Sequence, residues 1–409
     1  MRLVLFHPSF EAVGGAEILA AEQARLLKAA GNDVRLVTLG YDESKWAANL
    51  EGMKVDLIKK RHWTDLFAAW SRMAKLKARG RRASAALEGG DVVLAYNHPC
   101  NAMLGASRFK GRRVWQCNEP PRSLHMREAN PHLYSRVTGS DGTMPWLDFA
   151  SEKFYQDLQD YASGLARKRS LYTRRQFDIA ASRKLDSIFA ISEFSRENAK
   201  AIYGRCNEEV VYPIVRFPES TRSRKGLDRS GLKVLVHSRL ELMKNIDTVM
   251  RGFRLFKERT CPGAEMHIVG EGPEKSRLKH LAKDLLPEGG IMFHGYLPQE
   301  ELQAVYGACD VFALLPLDEP FGMVFPEAAA RGLSLIGPDH GGPLEILEGG
   351  KLGQVVDAFS PEAVLEAFKR IWGTGDEELE RQREAADRAC RNRFSAVAVL
   401  PALLRALSS

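Results

Sequence analysis

Short apolar runs bounded by turn residues alternate along this chain with stretches in which apolar positions recur every three or four residues. RLVLF (2–6) leads through the turn at Gly14-Gly15 into an amphipathic stretch over 16–30, closed by Gly31, and then into a second run, VRLVTL (34–39). Continuous apolar runs of this length suit strands covered on both faces, and the intervening 3.6-residue period suits helices laid across them. DVVLAY (91–96), RRVWQ (112–116) and DSIFAIS (186–192) continue the series. A second series begins at LKVLVHS (232–238) and runs through a helix over 245–259, EMHIVG (265–270), a helix after Pro273, IMFHG (291–295) and a helix from Pro298. DVFALL (310–315), a helix after Gly322, LSLIG (333–337) and a helix over 361–372 complete it. The pattern predicts an α/β protein with two doubly wound, Rossmann-like parallel sheets, in 1–218 and 219–394, joined through the polar run 218–231.

Ligands of open α/β sheets bind outside the carboxyl ends of the strands, so the chemistry belongs in loops that follow strands. Three loops qualify. Gly14-Gly15-Ala16-Glu17 opens the first helix, and its glycines let backbone approach a ligand at a helix N-terminus; the same residues also read as a plain tight turn. In the loop after LKVLVHS, Arg239 and Lys244 are two fixed cations able to clamp a diphosphate and offset the charge that develops as it leaves; singly, each reads as a surface cation. The most specific segment is DEPFGMVFPEAA (318–329). Glu319 stands in a loop after a strand, the amides around Gly322–Val324 open a helix, and Glu327 follows a little over a turn later. One carboxylate can accept hydrogen bonds from sugar hydroxyls and the other from ribose hydroxyls, with helix N-terminal amides free for phosphate. The alternative is a solvated acid followed by an ordinary first-turn acid.

Taken together, these residues resemble the retaining nucleotide-sugar glycosyltransferases of the GT-B fold, glycosyltransferase family 4 (group 1). The resemblance rests on the Glu-x7-Glu spacing of Glu319 and Glu327, with GGAE (14–17), SRLELMKN (238–245), HIVGEGPE (267–274), MFHGYLPQEEL (292–302) and SLIGPDHGGPLEIL (334–347) in support. It implies that Arg239 and Lys244 bind the donor diphosphate, Glu319 the sugar hydroxyls and Glu327 the ribose. Gly14 and Gly15 would lie beside the phosphates, with Phe321, Gly322, Met323 and Val324 lining the donor site. Gly295, Tyr296 and Leu297 would border the base. It further implies transfer with retention of a hexose from GDP-mannose or a UDP-sugar to a hydroxyl of a glycan or lipid-linked acceptor, as in surface polysaccharide assembly. Neither a metal nor another cofactor is expected, and a terminal helix at about 395–409 would pack back on the first domain. One departure stands out. Relatives carry a histidine before a Pro-Pro-Arg run, where this chain has Asn118 before Glu119-Pro120-Pro121-Arg122. Asn118 can bond a hydroxyl but cannot carry a proton; His98, in the preceding loop, either compensates or is structural. A sugar-nucleotide epimerase, an inverting GT-B transferase and a catalytically silent, transferase-like binding protein remain as alternatives.

Composition adds where the charge sits. Of 409 residues 44% are hydrophobic and 27% charged, the profile of a globular protein. Six scattered cysteines signal neither a zinc site nor a disulfide framework. The net charge of +7 divides unevenly: residues 1–218 hold 34 basic and 24 acidic side chains, residues 219–409 hold 25 and 28. Within the first half, Lys59–Arg82 has nine basic residues against Asp65, and Trp63, Leu66, Phe67, Trp70, Met73 and Leu76 share one helical face. Such a helix fits an anionic membrane surface, or packs its stripe on the sheet with its cations in water. A second basic patch, Arg167-Lys168-Arg169 through Arg174-Arg175, could extend that face. No recognition motif points to nucleic acid. With no apolar run of membrane-spanning length and an N-terminus that turns polar early, the expectation is a cytoplasmic protein, peripheral to the membrane at most.

Overall fold

Each apolar run becomes a parallel strand, and the glycine and proline punctuation between runs becomes the turns. The computed structural model describes residues 1–58, 72–129, Leu133, 169–218 and 226–408. These form two units, one of 1–129, 169–214 and 396–408, the other of 215–218, 226–395 and Leu133.

In the first unit, β1 (Arg2–His7), β2 (Asp33–Thr38), β3 (Lys54–Leu57), β4 (Val92–Tyr96), β5 (Arg112–Cys117) and β6 (Ser187–Ala190) lie in the order β3-β2-β1-β4-β5-β6. All neighbours are parallel, with Phe6 of β1 opposite Val37 on one side and Ala95 on the other. Alternate side chains of the central strands feed two cores, as the two-residue period of a strand requires. Leu3, Leu5 and Leu94 pack with Ala20, Ala24 and Leu27 of helix Gly15–Ala29 and with Val399, Leu403 and Leu407 of helix Ala396–Ser408. Val4, Phe6 and Val93 pack with Ala83 and Leu87 of helix Arg72–Leu87 and with Met103 and Leu104 of helix Asn97–Ala106. The last helix of the chain is therefore part of the first unit's core.

The second unit repeats the topology. β7 (Lys233–His237), β8 (Glu265–Val269), β9 (Ile291–Gly295), β10 (Val311–Ala313), β11 (Ser334–Pro338) and β12 (Gln354–Val356) lie in the order β12-β11-β10-β7-β8-β9, again parallel throughout. Helix Ile246–Arg259 packs on helix Pro361–Gly373, where Phe253 and Phe256 meet Phe368 at ring-centroid distances of 6.3 and 5.5 Å. Arg277 locks helix Lys275–Leu285 to the buried Asp247 by a two-pronged bond of 2.6 and 2.7 Å, a geometry worth more than a single surface contact.

Several sequence expectations change in detail. Half of the ten predicted strands end one or two residues early and three end one residue late, and β3 and β12 are edge strands that the apolar pattern does not reveal. Helix Asp376–Phe394, whose composition is dominated by charge, is a further addition. The apolar stripe read on the basic segment falls largely on 59–71, outside the described residues, as do Arg167 and Lys168 of the second patch. Where that stripe can be followed it faces inward: Leu76 packs against the core of the first unit. None of the six cysteines is in a disulfide. Among the described residues no helix is long and apolar enough to cross a membrane.

Candidate functional site

In a sheet of this order the crevice opens where chain direction reverses, between β7 and β10 in the second unit and between β1 and β4 in the first. In the second unit the loops leaving those strands are 238–245 and 314–323. The first follows His237, whose Nδ1 lies 2.9 Å from the Tyr306 hydroxyl. Burial, with help from the Arg331 charge, pushes this histidine down to about 4, so it is neutral at pH 7. The loop then lies against the 270–274 turn, with Ser238 N donating to Val269 O at 3.1 Å and Leu240 N to Glu271 O at 2.9 Å. Gly270, at φ +131°, makes that possible: a Cβ there would stand 1.9 Å from Ser238 O. This is the physical content of the HIVGEGPE motif. The loop ends at Asn245, which takes φ +52° and is tied down by its own bond from Nδ2 to Ala358 O at 2.6 Å.

The second loop is fixed from both sides. Leu317 N donates to Met243 O at 2.9 Å, linking the two loops directly. Gly342 N donates to Glu319 O at 2.9 Å, and the ring of His340 has Nε2 3.1 Å from Leu317 O. These supports, in the PDHGG segment, are residues that sequence reasoning did not assign a role. Phe321 is buried edge-on against Phe394, at 5.1 Å between centroids.

Held this way, Lys244 Nζ and Glu319 Oε2 meet at 2.5 Å, with side chains 24% and 16% exposed. Residues 75 positions apart thus converge at the switch point. Arg239 does not join them: its guanidinium is 70% exposed and pairs with Glu241 at 2.7 Å. The amides of Met323 and Val324 donate no hydrogen bond among the described residues, as expected at the start of helix Val324–Ala329. Glu327 sits one turn into that helix, its carboxylate without a hydrogen-bond donor among the described residues. Burial raises its pKa, against the pull of the Arg331 charge. Gly295, at φ +72°, ends β9 and accepts from Gly270 N at 2.8 Å; Tyr296 beside it is 79% exposed, and Leu297 is half-buried.

In the first unit, Gly14 caps helix Gly15–Ala29, its carbonyl accepting from Ile18 N at 3.0 Å, and Gly15 is exposed. His7 ends β1 against Phe10 and Tyr96, and burial pushes it down to about 4. His98 follows β4, with its Nδ1 3.4 Å from Asp178 Oδ1. Asn118 is buried, its Oδ1 accepting from Gln116 Nε2 at 2.9 Å and its carbonyl from Ser195 Oγ at 2.6 Å. It therefore braces β5 against helix Glu193–Tyr203. Among the described residues no group of three or more His, Cys, Asp and Glu is arranged to hold a metal ion.

Residues 219–389 match the family described as "Glycosyl transferases group 1". This stretch is a group 1 glycosyltransferase domain. Both loops of its switch point, with Lys244, Glu319 and Glu327, lie inside it. The chain is 31% identical to the mannosylfructose-phosphate synthase of Agrobacterium fabrum over 38% of this chain and 38% of that protein. It is 35% identical to a GDP-mannose-dependent alpha-(1-6)-phosphatidylinositol monomannoside mannosyltransferase of Mycobacterium tuberculosis, over 46% of this chain and 52% of the relative. The chain thus spans from under two fifths to about half of these relatives. Around the group 1 domain, the whole chain superposes on an Anabaena protein solved in complex with UDP and glucose. The TM-score is 0.72 and the identity 15%, with 100% of both chains covered. The fold is GT-B, two Rossmann-like sheets in one chain.

Proposed function

We propose that this protein is a retaining glycosyltransferase that moves a hexose from a nucleotide sugar, GDP-mannose or a UDP-sugar, to a hydroxyl of a glycan or lipid-linked acceptor. The observation that carries the reading is the Lys244–Glu319 pair at the switch point of the group 1 domain, with Glu327 in the first turn of the helix that follows the Glu319 loop. A diphosphate entering beside Lys244 exchanges one anionic partner for another, which frees Glu319 to accept hydrogen bonds from sugar hydroxyls. On this reading Arg239, exposed and paired with Glu241, swings onto the outer phosphate. On this reading side-chain cations and helix amides answer the charge on the leaving diphosphate, without a metal ion. The departing phosphate takes the proton of the acceptor hydroxyl as the new glycosidic bond forms. The mannosyltransferase among the relatives favours GDP-mannose, and the UDP-bound structural neighbour keeps UDP-sugars in the test.

The test is release of nucleoside diphosphate from a panel of GDP-, UDP- and ADP-sugars. One donor is expected to turn over, and Glu319→Ala to abolish that turnover while the protein stays folded. No turnover of any donor by the wild type would favour the silent, binding-protein reading instead. The cations of 59–82 belong, on the same proposal, against the anionic headgroups of a membrane carrying the acceptor, since Leu76 of the apolar stripe is spent on the core. Flotation with phosphatidylglycerol vesicles, lost on charge reversal at Arg79, Arg81 and Arg82, checks this.

A further inference from the structure

Asp178, in helix Arg169–Ser182, is completely buried. A buried carboxylate is costly unless its lone pairs are taken up. Here Asn101 Nδ2 donates to Oδ1 at 3.0 Å, the Tyr203 hydroxyl donates to Oδ2 at 2.7 Å, and His125 Nε2 lies 3.0 Å from Oδ2. Burial works to raise this pKa, but the bonds from His125 and Tyr203, with the His98 ring close by, outweigh it and hold the group well below the usual carboxylate range. Asp178 is charged at pH 7.

Asn101, His125 and Tyr203 tie four helices to one carboxylate, which is a structural role, and that role does not need His98. The His98 ring contributes only a 3.4 Å approach of Nδ1 to Oδ1, longer than a formed hydrogen bond. Its location is the informative feature. It is the second residue after β4, in non-helical conformation (φ −86°, ψ 138°) at the start of helix Asn97–Ala106 beside the β1/β4 switch point, and one fifth exposed. Its Nδ1 is enclosed, while Nε2 has no partner among the described residues. A carboxylate facing Nδ1 keeps the proton on that nitrogen and leaves the Nε2 lone pair for something else. Contacts of this kind are often long before substrate binds and tighten with it.

We propose that Asp178 is a positioning residue that holds His98 as its Nδ1–H tautomer, so that Nε2 accepts a hydrogen bond from the hydroxyl of the sugar acceptor. This rests on the glycosyl-transfer reading, and it assigns to His98 and Asp178 the alignment of the acceptor hydroxyl.

Histidine-selective 15N NMR of the full-length protein tests the positioning without any substrate. His98 is expected as the Nδ1–H tautomer in the wild type and as a mixture in Asp178→Asn. Turnover of the active donor with methyl α-D-mannopyranoside as acceptor probe tests the rest. Asp178→Asn and His98→Ala should each lower kcat/KM for the acceptor by about tenfold or more, with the dissociation constant of the nucleoside diphosphate unchanged. Combining them should cost no more than His98→Ala alone, because one acts through the other. His98→Gln, whose amide oxygen reaches the Nε2 position, should retain more activity than His98→Asn. Should Asp178→Asn fail to fold, the three His98 variants carry the test alone. An unchanged tautomer in Asp178→Asn, additive losses, or wild-type turnover by His98→Ala would overturn the proposal. A wild type that turns over no donor would overturn the proposed function, while the tautomer still decides whether Asp178 positions His98.

Discussion

The two units share strand order, parallel pairing and even the residue that ends the first strand, a histidine whose pKa burial lowers, yet they arm their switch points with different chemistry. In the second unit the loop after the fourth strand presents an acid, Glu319, backed by Lys244, and both are partly open to solvent. In the first unit the equivalent loop presents a base, His98, backed by an acid that solvent never reaches. One topology thus yields an edge whose ion pair an incoming anion can open and another whose counter-charge is sealed in. An accessible pair suits a ligand that competes for the cation. A sealed carboxylate suits a ring that must keep one orientation. Under the proposed function, the division matches a charged donor on one unit and a neutral hydroxyl on the other.

The shared histidines offer the largest effect by which to break this parallel. His7 and His237 are each held near 4 by burial, against an ordinary value of 6.5. A histidine with a lowered folded pKa contributes stability that is complete above 6.5 and is lost as pH falls towards 4, because the unfolded chain takes up the proton first. Each shift of this size corresponds to about 3 kcal/mol by pH 4. Urea denaturation between pH 7.5 and 4.5 should show the loss, and His7→Phe should remove about half of it. The phenylalanine suits the pocket of Phe10 and Tyr96, since His7 Nε2 is buried without a partner. If His7→Phe leaves the slope intact and His237→Phe removes all of it, the two strand ends are not equivalent.

Much of this architecture is legible in the sequence because fully buried parallel strands must be written as unbroken apolar runs, such as VVLAY (92–96) and KVLVH (233–237). β3, KVDL, is missed because an edge strand of four residues need not be apolar on both faces. The loops of the group 1 domain are legible because glycine, proline and carboxylate spacings constrain short segments. The pairing of Lys244 with Glu319 is not, since it depends on two loops meeting across β7 and β10. Asp178 is least legible: RRQFDIAAS carries no sign that its acid turns inward to Asn101, His125 and Tyr203. Its partners lie 77, 53 and 25 residues away, and only the packing of four helices brings them together.

Smaller but sharper is the contrast between the two cations of the second unit, which the sequence treats as one clamp. Lys244 is one-quarter exposed and 2.5 Å from Glu319, whereas Arg239 is 70% exposed and, among the described residues, paired with Glu241 alone. An exposed pair is screened by water and worth little, so the free energy that Arg239 adds to anion binding should be small. Removing Lys244 instead takes away the less exposed cation and leaves Glu319 facing the incoming phosphate, so two unfavourable terms act together. Calorimetric titration with UDP and GDP should therefore show Lys244→Ala weakening the tighter ligand by about 30-fold, roughly 2 kcal/mol, and Arg239→Ala by only about threefold. The arginine's share should also shrink on raising the salt from 0.05 to 0.5 M, by about the whole of its effect, while the lysine's persists. Equal losses from both variants would mean that the bound phosphate draws Arg239 out of solvent, and the two cations would then form a single clamp after all.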